Sequence, residues 1–153
     1  MINSKKIIII ISFLLLLSCD YKPIFSSSKA NFSITEIKLF GDIKIGSKIK
    51  KNLNIYKNVE NKSIFYSLEI NSDQKKNIAS KDTKGDPKIF EMQILVNLTI
   101  LENNKIKNKK KFEESFAYNN STDKFNLKQY EKNIEENLIE KIVEKITIYL
   151  YSI

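Results

Sequence analysis

The chain has 153 residues, a formal net charge of +8, one cysteine and no histidine. This composition leaves no imidazole base, no disulfide within the chain and no Cys/His metal site. Three glycines, at positions 41, 46 and 85, cannot build a loop that cradles phosphates. We therefore expect a protein that is not an enzyme and that needs no metal or cofactor.

The N-terminal segment predicts export. Lys5 and Lys6 precede an apolar run from Ile7 to Leu17. A helix over that run rises only about 16 Å, whereas a membrane span must cross about 30 Å of hydrocarbon. Residues 1–18 are therefore predicted to be a signal peptide and not a membrane-spanning anchor.

The signal ends in Leu16-Leu17-Ser18-Cys19, which resembles the bacterial lipobox. At a lipobox a diacylglycerol is attached to the thiol, the signal is cut before the cysteine, and the new amine is acylated. Two or three acyl chains make a stable anchor, because each buried CH₂ contributes about 0.8 kcal/mol. We predict lipidation at Cys19, a lead over residues 19–31 and one domain over residues 32–153. The alternative is a chance cysteine near an ordinary cleavage site.

The charge of the exported chain favours anionic partners. The signal contains two lysines and no acid, so its removal lowers the formal charge from +8 to +6. Phospholipid headgroups and phosphorylated glycolipid fit such a surface, whereas export argues against nucleic acid.

The first half of the domain predicts a strand, a helix and a second strand. Apolar residues from Phe32 to Phe40 change phase between Ile34 and Ile37, which indicates a bulge or a bend. A stripe from Ile45 to Tyr56 has helical spacing, with lysines on the other face. The next segment, from Ile64, alternates as a half-buried strand, which continues with a defect to Ser80.

Two hairpins are predicted next. Residues 81–88 form the strongest turn signal, with Gly85 and Pro87. Apolar residues then alternate from Phe90 to Ile100, and Asn103-Asn104-Lys105 turns the chain back. A three-residue loop or an equivalent bulge is required there, because only then does Val96 lie opposite Phe112.

Lysines cluster at both turns. Two lie in or beside the first turn and four in the strand after the second. They are candidate contacts to the phosphate groups of an anionic partner: Lys84, Lys88, Lys107, Lys109, Lys110 and Lys111. The alternative role for the second group is to prevent aggregation through an edge strand.

The last segment predicts a long amphipathic helix. Apolar residues step by three or four from Leu127 to Tyr149, including Tyr130, while Glu135 and other charged residues cover the back. The β-branched and aromatic end, residues 147–153, is expected to fray or leave the helix. The order β-α-β-β-β-α predicts an α+β two-layer sandwich, with two helices packed on one face of a mixed four-stranded sheet.

This order and the start of the exported chain resemble the LPS-assembly lipoprotein LptE family. Members commonly begin with Cys, Gly, an aromatic residue, a basic residue, Pro and an apolar residue. Here Tyr21, Lys22, Pro23 and Ile24 match, whereas Asp20 departs from the pattern. The resemblance covers the exported chain at the level of pattern.

The resemblance implies a lipoprotein that is anchored in the outer membrane and faces the periplasm. Its partner would be an LptD-like outer-membrane β-barrel, which it would plug and help to assemble while assisting lipopolysaccharide transport. In some bacteria Asp20 after the cysteine is a signal for retention in the inner membrane, so that location stays open. Two alternatives remain: a free-standing module that binds a small anionic ligand or lipid, and a carboxylate-dependent hydrolase.

Overall fold

A computed structural model describes residues 30–153, and it confirms the predicted α+β sandwich. The predicted signal peptide, Cys19 and the predicted start motif lie outside the described residues. The elements follow in the predicted order: β1 (Phe32–Gly41), α1 (Ile43–Leu53), a 3₁₀ turn (Asn54–Tyr56), β2 (Ile64–Lys81), β3 (Pro87–Glu102), β4 (Lys105–Asn119) and α2 (Lys124–Tyr151).

The four strands form one sheet in the order β1-β2-β3-β4. β1 is parallel to β2, because α1 returns the chain to the same end of the sheet, and the other pairs are antiparallel. The predicted bulge in β1 is present, since the register shifts between Ile34 and Glu36. Within residues 30–153, no strand pairs with the outer side of β4.

The second hairpin satisfies the register requirement through a bulge. Asn103 and Asn104 both have positive φ, 52° and 61°, as a tight two-residue turn needs. The register then shifts between Ile100 and Leu101, so that Val96 lies opposite Phe112. The predicted pairing is therefore confirmed in its bulged form.

Both helices pack on the same face of the sheet. The apolar row of β3 from Met92 to Ile100 is almost completely buried there, together with Tyr66, Leu68 and Ile70 of β2. Fully burying one such side chain contributes about 1.5–3 kcal/mol. We call the other side of the sheet the open face, because no helix of residues 30–153 covers it.

Each helix begins at an aspartate. The Asp42 carboxylate accepts hydrogen bonds from the backbone N–H groups of Lys44 and Ile45, at 2.9 and 3.1 Å. Asp123 caps α2 in the same way through Asn126, at 3.0 Å. These bonds satisfy amides that otherwise have no partner in the first turn of a helix.

Three expectations for α2 are wrong. The helix does not end early but continues to Tyr151, because Thr147 and Leu150 are buried and Tyr151 packs edge-on against Phe32. Tyr130 is not in the buried stripe, since it is 47% exposed. Glu135 is not on the solvent side, since it is buried beneath α1.

Gly41 allows β1 to turn into α1. Its φ is +73°, and a Cβ placed on it would collide with the backbone oxygen of Ser72. Around this contact the Asp42 amide donates to the Ser72 carbonyl at 2.7 Å, and the Ser72 hydroxyl donates to the Asp42 carbonyl at 2.8 Å. The close approach of two backbones therefore requires glycine.

We expect Gly41→Ala to lower the free energy of unfolding by more than about 2 kcal/mol, since it adds a backbone clash to the strain of a positive φ. Gly85→Ala is the matched control, because its φ is +91° but no atom lies within 4 Å of the added Cβ. That variant should lose about 1 kcal/mol. Urea denaturation followed by circular dichroism measures both, and equal losses would contradict the role of the contact with Ser72.

Candidate functional site

The six candidate lysines do not form one site. The turn between β2 and β3 and the turn between β3 and β4 lie at opposite ends of the sheet. The first turn holds Lys84, and Lys88 follows it in β3. The other four lie at least about 30 Å away along the strands, at about 3.3 Å per residue. Any phosphate contact must therefore be made by one group independently of the other.

Lys84 and Lys88 lie at the exposed far end of the sheet. The Lys84 amide donates to the Asp82 carboxylate at 2.9 Å as part of the turn. Lys88 borders a shallow hollow of about 520 Å³, together with Asn120 and Lys124 near the start of α2. Lys124 donates to the Ser121 carbonyl at 2.8 Å, which places a second ammonium group close to this hollow.

Lys107 and Lys110 contact aromatic rings on the helix side of the sheet. Lys107 Nζ lies 3.1 Å from the Tyr66 hydroxyl and 3.2 Å from Glu102 Oε2. The hydrogen bond with Tyr66 makes the larger contribution and the one with Glu102 the smaller, and together they raise the pKa of Lys107. Lys110 Nζ lies 5.7 Å from the centre of the Tyr149 ring, a cation–π distance. Both ammonium groups therefore already have partners in the fold.

Lys109 and Lys111 project on the open face, opposite Thr99 and Asn97 of β3. They border a groove of about 570 Å³ that also contains Phe40 and Asn71. Lys111 forms an ion pair with Glu113 at 2.8 Å. Within the described residues, the Lys109 side chain forms no ion pair or hydrogen bond, and the same is true of the Lys84 and Lys88 side chains, so these three ammonium groups can meet an external anion.

A second basic hollow, of about 460 Å³, lies between the start of α1, the sheet and α2, and the sequence analysis missed it. Four lysines from three elements border it, accompanied by three acids: Lys44, Lys76, Lys128 and Lys132, with Asp42, Glu131 and Glu135. No local pattern signals this site, because only the packing of the two helices on the sheet brings its members together.

Glu135 joins the two helices at this hollow. It is 6% exposed and accepts hydrogen bonds from Lys48 at 2.6 Å and from Lys44 at 3.2 Å. Burial acts to raise the pKa of Glu135, but the two lysines outweigh it and hold the pKa below its ordinary value. The carboxylate is therefore ionised at neutral pH and acts as a cross-link between α1 and α2.

Glu131 makes a similar connection between α2 and the sheet. It accepts from Lys76 at 2.6 Å and from the Tyr118 hydroxyl at 2.8 Å. Burial opposes ionisation of this carboxylate, yet the bonds from Lys76 and Tyr118 leave its pKa lowered. Burial raises the pKa of the Tyr118 hydroxyl, and the hydrogen bond to Glu131 raises it further. Glu135 therefore connects α2 to α1, and Glu131 connects α2 to the sheet.

Two further searches concern residues 30–153 only. No group of three or more His, Cys, Asp or Glu side chains there is placed to hold a metal ion. None of the helices in that part of the chain is long and apolar enough to cross a membrane.

The comparisons with known proteins identify the fold. No protein-family model and no curated protein matches the chain. Solved structures of bacterial lipoproteins do match. A minor lipoprotein from Acinetobacter baumannii is 15% identical with a TM-score of 0.59, covering 78% of this chain and 91% of that chain.

Two further structures agree. Uncharacterized lipoprotein B from Nitrosomonas europaea is 15% identical with a TM-score of 0.60, over 80% of this chain and 86% of that one. Rare lipoprotein B from Shewanella oneidensis is 12% identical with a TM-score of 0.53, over 75% of this chain and 96% of that one. At these identities the likeness shows a shared fold, and that fold occurs in bacterial lipoproteins.

The lowered pKa of Glu135 predicts a loss of stability in acid. A carboxylate with a lowered folded-state pKa stabilises the fold above its unfolded pKa of about 4.3, and this contribution disappears as pH falls through the folded value. We expect Glu135→Gln to cost about 1–3 kcal/mol at pH 7, since it removes hydrogen bonds between charged groups. The cost should shrink steadily below about pH 4.

The matched control is Glu136→Gln, whose side chain is 47% exposed and lies 3.9 Å from Lys48. It should change stability by less than about 0.5 kcal/mol at any pH. Urea denaturation at a series of pH values measures both variants. A cost for Glu135→Gln that does not depend on pH would contradict the assignment.

Proposed function

We propose that this protein is an outer-membrane lipoprotein that plugs an LptD-like β-barrel and assists its assembly and the passage of lipopolysaccharide to the cell surface. It is anchored through acyl chains on Cys19 and faces the periplasm. The protein performs no catalysis in this function and needs no cofactor. Its partners are the barrel, lipopolysaccharide and the membrane, and nucleic acid is not among them.

The observation that carries the proposal is the shared fold. Three bacterial proteins whose names include lipoprotein match at least 75% of this chain with TM-scores of 0.53 to 0.60. The sequence supports the same class independently, because Leu16-Leu17-Ser18-Cys19 resembles a lipobox and Tyr21 to Ile24 resembles the LptE start motif. Two separate lines of observation therefore point to an acylated envelope protein.

The charge of the domain supports an anionic ligand. Lys109 and Lys111 project from the open face two residues apart on β4, and a phosphate group in the groove can accept hydrogen bonds from both ammonium groups. The acids nearest the second hollow do not resemble a catalytic pair. Glu131 and Glu135 each accept bonds from lysines that hold them ionised, so neither is poised to donate a proton.

The barrel partnership is tested by purifying the tagged full-length protein from envelopes solubilised in detergent. We expect a large β-barrel to come with it at one-to-one stoichiometry, which mass spectrometry identifies. The Cys19→Ala variant is the matched control, and it should leave the membrane fraction because it cannot be acylated. Recovery of a lone lipidated monomer would contradict the plug function.

Recovery of a lone lipidated monomer would favour the alternative function, a free-standing lipoprotein module that binds a small anionic ligand or lipid. The hollow bordered by Lys44, Lys76, Lys128 and Lys132 is the observation in its favour. Separating inner from outer membranes on a density gradient decides the location that Asp20 leaves open.

Lipopolysaccharide contact is tested with two pairs of charge-neutralising substitutions. We expect Lys109→Gln with Lys111→Gln to weaken binding by about tenfold, since a hydrogen bond between charged groups is worth about 1.5–3 kcal/mol. Lys84→Gln with Lys88→Gln tests the far end separately. Lys50→Gln with Lys51→Gln on α1 removes the same charge elsewhere and should leave affinity within about twofold. Unchanged binding after neutralising both candidate pairs would contradict the assignment.

A further inference from the structure

One end of the sheet collects the features of a membrane-contact surface. Residue Ala30, where the described chain begins, lies two residues before β1, which starts beside Ile64 of β2. Because β3 is antiparallel to β2, the turn at Asn103 and Asn104 lies at this same end. We call it the anchor end, made of Ala30, the loop over residues 57–63 and the turn segment over residues 102–107.

Three apolar side chains lie together on the open face at the anchor end. Phe65 lies on the same face of β2 as Ser67, which is two residues later. Ser67 pairs with Leu101 of β3, and Leu101 pairs with Ile106 of β4, so all three apolar residues lie on the same face. Phe65 is 52% exposed and Ile106 is 59% exposed, and Leu101 is half-buried. The neighbouring positions towards the middle of this face, such as Glu69 and Thr99, are polar, so this apolar patch is confined to one end.

The charge around the patch is basic. The loop over 57–63 and the segment over 102–107 contain four lysines and two glutamates: Lys57, Lys62, Lys105 and Lys107, with Glu60 and Glu102. The Glu102 charge is compensated by its ion pair with Lys107 at 3.2 Å. Exposed apolar side chains flanked by lysines match the interface of an anionic bilayer, where the rings and alkyl groups enter and the ammonium groups meet the headgroups.

The length of the chain before Ala30 limits the distance between the anchor end and the bilayer. Ten residues separate Cys19 from Ala30, and even a fully extended chain of that length spans at most about 35 Å. The sheet extends much farther, since the 18 residues of β2 cover about 60 Å. Acyl chains at Cys19 therefore keep the anchor end within reach of the bilayer, whereas the turn between β2 and β3 is at the end of the sheet farthest from this tether.

We propose that the anchor end rests on the anionic membrane in which the lipid is inserted, with Phe65, Leu101 and Ile106 as its apolar contact and with Lys57 and Lys105 on the headgroups. This inference depends on the acylation of Cys19 in the proposed function. It adds a second contact with the membrane, which orients the domain relative to the bilayer.

The test uses the purified, acylated full-length protein, which has no free thiol because Cys19 is its single cysteine. Ser63→Cys places a fluorescent probe at the anchor end without changing the patch, and Thr83→Cys places one in the opposite turn. The protein is inserted in vesicles of phosphatidylethanolamine with about a quarter phosphatidylglycerol. Nitroxide-labelled lipids should quench the probe at position 63 at least about threefold more than the probe at position 83.

The contribution of the patch is measured with matched pairs of variants. Phe65→Ser with Ile106→Thr should reduce quenching of the position-63 probe at least about twofold. Phe116→Ser with Ile78→Thr removes a similarly exposed phenylalanine and isoleucine at the other end, 43% and 48% exposed, and should leave quenching unchanged. Circular dichroism establishes that both variants are folded.

The outcomes separate this inference from the function on which it depends. An intact mass without acyl chains would contradict the lipoprotein function and the tether together. Two outcomes with an acylated protein would overturn only the inferred membrane contact. In one, the probes at positions 63 and 83 are quenched equally; in the other, the patch variants leave the quenching unchanged.

Discussion

The structure depends on a sheet that is apolar on one side only. Strand residues alternate between faces, and in β3 the row from Met92 to Ile100 is almost completely buried, so both helices must pack on that face. This requirement fixes the details around it. A bulge follows the tight turn at Asn103 and Asn104 because Phe112 must lie on the covered side, and a bulge near Thr35 keeps Ile34 and Ile37 both buried.

The parts of the fold that follow from local periodicity could be predicted from the sequence. Alternation in β3, the three-to-four spacing of α1 and α2, and the asparagine and glycine turns each have a cause within a few residues. Glu135 shows why the rest could not. Its partners Lys44 and Lys48 are about ninety positions earlier, so nothing near Glu135 indicates burial. Likewise Tyr151 stays helical because it packs against Phe32, which is close in space but lies near the start of the described chain.

The candidate lysines show a similar limit for function. In the sequence, residues 105–111 form one dense basic segment, but the alternation of β4 and the bulge at Lys107 divide it between two surfaces. Lys107 and Lys110 contact tyrosines on the helix side, whereas Lys109 and Lys111 project on the open face. A charge cluster counted along the chain therefore overstates any one binding surface. The basic hollow beside Glu131 shows the converse, since its lysines are scattered in the sequence and meet only in the fold.

The outer edge of β4 combines an unpaired backbone with a dense run of positive charge in the described part of the chain. It presents fifteen residues of backbone without a neighbouring strand in the described part of the chain, which is a template for adding another strand. Five of the first seven side chains are lysines, so two copies of this half of the edge repel each other where they approach. At physiological ionic strength the screening length is about 8 Å, longer than the spacing of about 5 Å between paired strands. Repulsion between these lysines thus opposes edge-to-edge pairing in any register that sets the lysine-rich halves of two copies against each other.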